Sequence, residues 1–387
     1  MNEQSQYEKT GVDVEKKAVD VFKSTIQNMY PTAFCVIKRD PDFPQYAYVA
    51  HTDGAGSKPV QYYLNFRTSG DIRRFRGVAQ DVVAMNIDDI ACVGARPISF
   101  VDYVGINKLI IPKEDFLRTL NDEIASLAQT MRNVGIKLPF DGGETADHPD
   151  QLSTLDICGF MQGRAEISKL VTGEKIKPGN VIIGLQSGGQ ARYEQKDNSG
   201  IMCNGITLAR HCLISATYSR SYPEIVGRDT SGYYGRFKVD DFIDELGMTI
   251  GDAITSPTRI FAPIVYDVLE EERSHVTGLV HNTQGGLTKS LKLGLNVTYI
   301  KDNLLQTSPI FNLIQKESKE TWKEMFRDFN MGCGFEIIAE KEGVEKIISI
   351  SESYGVNAKV IGQVHEGPQH NRVLIVGPLG KFEYGGS

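Results

Sequence analysis

The chain has 387 residues, more than a single compact core normally organises, so two domains are expected. Its formal charge of −7 at pH 7 argues against nucleic acid or an anionic membrane as a partner, because both require a positive surface. Six cysteines lie scattered without a C-x-x-C pair or a Cys/His zinc spacing, and no run approaches the roughly 18 apolar residues of a membrane span, so a reduced, cytoplasmic setting is the expectation.

Behind a polar start, Met1–Gln6, that carries no apolar signal core, a helix-length segment covers Val14–Met29. The strand-like run Ala47–His51 leads into His51-Thr52-Asp53-Gly54-Ala55-Gly56-Ser57-Lys58. There Gly54 and Gly56 let backbone approach an anion, Lys58 supplies a positive charge, and Asp53 can hold a divalent metal beside phosphates. A plain hairpin turn is the alternative. The next helix, Val82–Val93, follows Gln80-Asp81; Asp81, Met85 and Asp88 share a face among Val82, Ala84, Ile87 and Ile90. Carboxylates on so apolar a helix need partners, and a cation would supply one. Capping by Asp81, with solvent for the others, is the competing account.

A strand over Ser99–Gly105 and a helix over Lys113–Val134 precede Phe140-Asp141-Gly142-Gly143-Glu144-Thr145-Ala146, where a glycine pair presents Glu144 to an approaching ligand or simply forms an exposed turn. His148 reads as a loop or packing residue. After the strand Thr154–Gln162, turn formers gather over Lys169–Asn180, which sets the expected organisation: an N-terminal domain 1–172, a C-terminal domain 173–368 and a tail 369–387 that frays.

The second half opens on the strand Val181–Leu185 and a surface loop, Gln190–Ser199, expected to be mobile. Asn204 caps a helix over Asn204–Ser215 and opens an anion site at its free amides. An excursion over Ser219–Gly251 follows, and then Ser256-Pro257-Thr258-Arg259, where Arg259 can grip a phosphate or form an ordinary salt bridge. A helix to Glu271 and the strand Val276–His281 come next; His281 is a candidate general acid or base, with packing as the alternative, and Gly285-Gly286 starts a helix to Leu293. A strand over Gly334–Ala339, a helix over Val344–Ser353 and a strand over Ala358–Gln363 complete an α/β (α+β) pattern.

The order of the blocks D-G-x-G-[ST]-K, D-x-V-A-M-x-x-[ND]-D, G-G-E-T-A, N-G, P-T-R-I, H-x-T-x-G-G and N-x-G-x-G, from Gly11 to Gly362, resembles the aminoimidazole ribonucleotide synthetase family. That resemblance implies a homodimer whose N-terminal sheets join as a β-barrel, with ATP in a cleft against a C-terminal α/β domain. It also implies closure of formylglycinamidine ribonucleotide to the aminoimidazole ribonucleotide, with ADP and phosphate as by-products. Asp53, Asp81 and Glu144 match positions the wider superfamily uses for Mg²⁺ and nucleotide phosphates, and Lys58, Asn204, Arg259 and His281 match its other ligand-facing positions. Asp81, Lys58 and His281 are the candidate catalytic set.

The sequence departs from the family pattern in several places. Tyr30–Arg39 replaces a glycine-rich segment, a polar insert splits Ser187-Gly188-Gly189 from Asn204-Gly205, Asp88 stands where Asn is typical, and Gln284 interrupts a glycine triplet. A sister ATP-dependent enzyme with another acceptor, or a nucleotide-binding scaffold without catalysis, are the other readings.

Overall fold

A computed structural model describes residues 4–13, 21–22, 24–227, 230 and 232–385. Residues 14–20 and 23 of the helix expected over Val14–Met29 lie outside that set, and the described remainder of the segment holds no α-helix.

Five strands form the first sheet: β1 (Lys38–Arg39), β2 (Tyr46–Gly54), β3 (Arg96–Ile106), β4 (Phe140–Asp147) and β5 (Leu155–Glu166), in the order β1-β2-β5-β3-β4. Three helices, α1 (Lys58–Ser69), α2 (Gly77–Ala91) and α3 (Lys113–Asn133), belong to this half. Alternation sets the faces of β2, with Ala47 and Val49 buried and Ala50 and Thr52 exposed. The spacing of Phe116, Leu120, Ile124, Leu127 and Met131 gives α3 one buried stripe. Helix α2 is buried nearly all round, its Asp81, Asn86, Asp88 and Asp89 included, because both domains cover it. Near its end, Asp88 accepts from the N–H groups of Phe261 (2.9 Å) and Ala262 (2.7 Å), satisfying donors that a helix start in the second domain leaves free.

The second sheet has seven strands: β6 (Val181–Gln186), β9 (Val276–His281), β10 (Val297–Lys301), β11 (Cys333–Ala339), β12 (Ala358–Glu366), β13 (Arg372–Gly377) and β14 (Gly380–Tyr384). Their order is β14-β13-β10-β12-β6-β11-β9, and a separate hairpin pairs β7 (Phe242–Ile243) with β8 (Met248–Thr249). Strands β9 and β11 are buried along their whole length, so their polar members Thr277, His281 and Glu336 are buried with them. The helices of this half are α4 (Ile206–Leu213), α5 (Ala216–Ser221), α6 (Ile250–Ile254), α7 (Ala262–Glu271), α8 (Pro309–Ser318), α9 (Trp322–Asp328) and α10 (Val344–Ser353).

The mixed α/β class is as expected, and three local expectations are corrected. The segment past residue 368 does not fray: β13 pairs in parallel with β10, and β14 closes a hairpin onto it, burying Val373 and Ile375. That partnership is non-local, so no short-range pattern announces it. The loop Gln190–Ser199 is pinned rather than loose, since Arg192 N–H reaches Tyr354 O at 2.8 Å and Asn198 Nδ2 reaches Pro257 O at 2.5 Å. Asn204 does not cap α4; Gly205 does, at φ 68°, where any added Cβ would strike the Phe329 ring at 2.0 Å.

Candidate functional site

Alternation along β2 puts His51 and Asp53 on the face that α2 covers, and Asn86 of α2 meets them there. The Asn86 side chain behaves like a neighbouring strand: its Oδ1 accepts from Asp53 N–H at 3.1 Å and its Nδ2 donates to Asp53 O at 3.0 Å. This fixes which end of the amide is oxygen. His51 Nδ1 lies 3.1 Å from that oxygen, and its Nε2 lies 3.2 Å from Asp89 Oδ2. With acceptors at both ring nitrogens, only the doubly protonated imidazolium satisfies the pair. Burial disfavours that charge, but Asp89 outweighs it and holds the His51 pKa above its ordinary value.

Asp89 is the centre of the cluster. His281, at the end of β9, brings Nδ1 to 2.7 Å from Asp89 Oδ1, so both domains grip one carboxylate. Burial opposes its charge, yet the Lys289 ammonium, His281 and His51 together hold it far below the usual carboxylate range. Asp53 behaves in the opposite way. Burial and the nearby Asp89 charge push its pKa up, and among the described residues its side chain accepts only from Gly54 N–H, through Oδ1 at 2.8 Å. The site therefore pairs a carboxylate locked as an anion with a half-buried one whose second oxygen is open.

Neither His281 nor Glu144 has the setting expected of it. His281 is fully buried, and burial depresses its pKa despite Asp89; its Nε2 has no partner and lies 3.8 Å from Asp88 Oδ2. It orients Asp89 and has no exposed nitrogen for a substrate proton. Glu144 does not converge with Asp53. The register aligns Asp53 with Gly159, Gly159 with Asp102, and Asp102 with Gly143, so these positions share the helix-covered face. Glu144 is one residue further on, beside Tyr103, on the open face. What Gly143 provides is room: a Cβ there would come within 1.8 Å of Asp102 Oδ1. Burial pushes the Asp102 pKa up to about 6.

Lys58 and Asp81 are also corrected. They form a fully buried pair at 2.7 Å, and Asp81 further accepts from Tyr62 OH (2.7 Å), Thr258 N–H (2.8 Å) and Thr258 Oγ1 (2.7 Å). Lys58 also donates to Ser256 O at 2.5 Å. Both Asp81 oxygens are occupied by donors from the two domains, so this carboxylate is a rivet between them and no open metal ligand.

Arg259 is saturated in the same way. Its guanidinium holds Glu194 at 2.9 and 2.7 Å and donates to the carbonyls of Gln186, Gly188 and Gly189, which leaves no fork for a phosphate. Gly54 answers to strand packing, since a Cβ there would meet Ile157 O at 2.8 Å, and Gly56 supplies a left-handed turn at φ +57°.

Asn204 remains near the candidate cleft. Its Oδ1 is buried without a partner, and the adjoining start of α4 touches the loop after Asp53, with Ser57 Oγ 2.7 Å from Thr207 Oγ1. A cavity of about 430 Å³ lies elsewhere, at the opposite end of α2 near Gly77 and Gln80. Two of its cations are already paired there, Arg73 with Asp71 and Arg74 with Asp252.

Sequence reasoning missed Asp89, His51 and Lys289. Asp89 closes the second motif block, but it lies to the side of the helical face that Asp81 and Asp88 share. The available signal was in β2: His51 and Asp53 on one face demand a polar partner from whatever helix covers them. Among the described residues, no group of three His, Cys, Asp or Glu side chains is placed to hold a metal ion. The open oxygen of Asp53 fits Mg²⁺, which can take a single carboxylate and complete its shell with water and phosphate oxygens, whereas both Asp89 oxygens are already bonded, to His281 and His51.

A two-domain α/β architecture with a cluster of acids and histidines where the domains meet matches a defined class. Residues 35–165 match the family described as AIR synthase related protein, N-terminal domain, and residues 177–375 match its C-terminal domain; the chain belongs to this family. It is similar to the phosphoribosylformylglycinamidine cyclo-ligase of Methanocaldococcus jannaschii, with 32% identity over 339 residues covering 87% of this chain and 83% of that protein. A cyclo-ligase of the same name from Alkaliphilus metalliredigens is 29% identical over 380 residues, covering 93% and 95%. Among solved structures, the fold is similar to AaThiL complexed with AMPPCP and TMP, with a TM-score of 0.57, 11% identity and 93% of each chain covered. It is also similar to T. maritima PurL complexed with FGAR, with a TM-score of 0.53 and 16% identity over 94% of this chain and 49% of that one.

Proposed function

We propose that this protein is an ATP-dependent cyclo-ligase that closes formylglycinamidine ribonucleotide to aminoimidazole ribonucleotide in purine biosynthesis, releasing ADP and phosphate. The observation that carries the reading is the Asp53–Asp89 pair at the domain seam, in a chain whose similar relatives are named for this reaction. The chemistry asks little of protein nucleophiles. A formamide oxygen leaves poorly until the γ-phosphoryl group of ATP is transferred to it, after which the neighbouring amidine nitrogen displaces phosphate. The site must place the triphosphate and stabilise its charge.

In this reading Asp53 would hold Mg²⁺ through its open oxygen, with Asp89 as the fixed anion behind it, and the ion would neutralise phosphate charge during transfer. His51 and His281 keep Asp89 ionised and aimed, so His281 is a positioning residue. Asn204, with its unpartnered acceptor, faces the ribonucleotide side of the cleft. The division of the chain near residue 172 belongs to this proposal. So does a homodimer formed through the open face of the first sheet, where Phe160 and Tyr103 are 39% and 36% exposed. No helix among the described residues is long and apolar enough to cross a membrane.

ADP release is measured with Mg²⁺ and ATP, with and without formylglycinamidine ribonucleotide. Stimulation by that substrate is expected. Turnover only with another acceptor would make the protein a sister enzyme, and no turnover with any acceptor would leave a nucleotide-binding scaffold.

A further inference from the structure

A further charged side chain, from the second domain, stands near the acid pair. After β9, the turn Thr283-Gln284-Gly285-Gly286 leads into a short 3₁₀ segment, Gly286–Lys292, that carries Lys289. Its ammonium donates to Thr283 Oγ1 and sits 4.6 Å from the centroid of the Phe34 ring. The ring is itself tied to the site, since the next residue, Cys35, donates its Sγ–H to Asp89 O at 3.1 Å.

The positive charge acts on Asp89, Asp53 and His281 together. Even so, among the described residues Lys289 forms no ion pair within contact distance, and it is only half-buried. A lysine that merely neutralised the acids would close onto one of them, as Lys58 closes onto Asp81. Lys289 is held back by a hydroxyl and an aromatic face, which fix the amine while leaving it an N–H to donate.

We propose that Lys289 is a ligand of the nucleotide phosphates, delivered by the second domain to the acidic cleft and aimed by Phe34; this rests on the ATP reading above. A triphosphate approaching two carboxylates meets like charge on every side. A fixed cation opposite them lets the anion enter and stabilises charge on its terminal oxygens during transfer.

Calorimetry with the non-hydrolysable analogue AMPPCP, at saturating Mg²⁺, tests this without any acceptor substrate. Lys289→Met is expected to raise the Kd for AMPPCP about 10- to 100-fold, the usual worth of one charge-assisted bond, with a much smaller change for AMP. Lys289→Arg should stay within about fivefold of the unaltered protein, because it keeps the charge.

Equal AMPPCP affinity in Lys289→Met and the unaltered protein overturns the proposal while leaving the ATP reading intact. Failure of the unaltered protein to bind AMPPCP removes both. Should Lys289→Met not fold, as judged by thermal melting, Phe34→Leu becomes the test: it frees the amine without removing it and must raise the same Kd about threefold or more, or the proposal fails.

Discussion

Two polar clusters join the domains, and they resemble each other in composition far more than in state. At Lys58–Asp81–Thr258, every carboxylate oxygen has donors and both charged groups are fully buried. At Asp53–Asp89–His281, the Asp89 oxygens are bonded to His281 and His51 and one Asp53 oxygen to Gly54, the other Asp53 oxygen is open, and among the described residues a lysine stands by without an ion pair. A closed network stores stability and an open one stores affinity, because an unsatisfied charge in a cleft gains most from a ligand that completes it. Residue type does not separate the two cases; only the count of partners around each atom does.

The sharpest way to break this contrast is to remove a charge from each cluster. Asp81→Asn leaves Lys58 buried without its counter-charge and is expected to cost about 3–5 kcal/mol of folding stability, read as a lowered denaturation midpoint in urea. A variant that melts like the unaltered protein yet turns over poorly would put Asp81 in the chemistry after all. Arg259→Met strands Glu194 in the same way and should destabilise by a similar amount, about 3–5 kcal/mol, with nucleotide affinity in the folded fraction unchanged. Weakened AMPPCP binding by a stably folded Arg259→Met would restore its phosphate role.

In the open cluster the signs exchange. Asp89→Asn is expected to lower kcat/KM for ATP by about 100-fold or more, equivalent to about 2.7 kcal/mol, with a smaller loss of stability than Asp81→Asn. A larger loss of stability with activity retained would make Asp89 a second rivet.

The smallest effect tests pH linkage away from both clusters. Burial pushes the Asp328 pKa up to about 7 in the folded protein, from an ordinary value of 3.8. The folded state then binds the proton more tightly, so this contribution to stability is fully present at low pH and is lost as pH rises from about 4 through 7. Asp328→Asn, which carries no such charge, should match the unaltered protein at pH 4 and exceed it at pH 8 by about 1–2 kcal/mol in thermal unfolding. Equal melting at pH 8 would show the charge to be fully compensated by Arg327 and the groups around it.

Much of the fold was legible because its signals are local. The alternation of Ala47 and Val49, the spacing along α3 and the apolar run Val181–Leu185 of β6 each report a face and its burial without reference to distant chain. Strands β13 and β14 were not legible, since β13 gains its place only by lying beside β10. The site divided along the same line: Asp53 is legible from the turn that presents it, whereas Asp89 sits on the helix that also carries Asp81 and Asp88, and nothing in the spacing says which one meets His51 and His281.

By itself, the sequence determined the mixed α/β class, the order of the motif blocks and the inventory of charged groups near the domain seam, because periodicity and turn chemistry act over a few residues. Tertiary structure alone decided that Lys58, Asp81 and Arg259 are bonded to buried partners, that Glu144 lies on the far face of the sheet, and that Asp53, Asp89 and the Lys289 charge come near one another where the domains meet. The reason is that a polar atom's role depends on how many partners reach it, and those partners come from segments far apart in the chain.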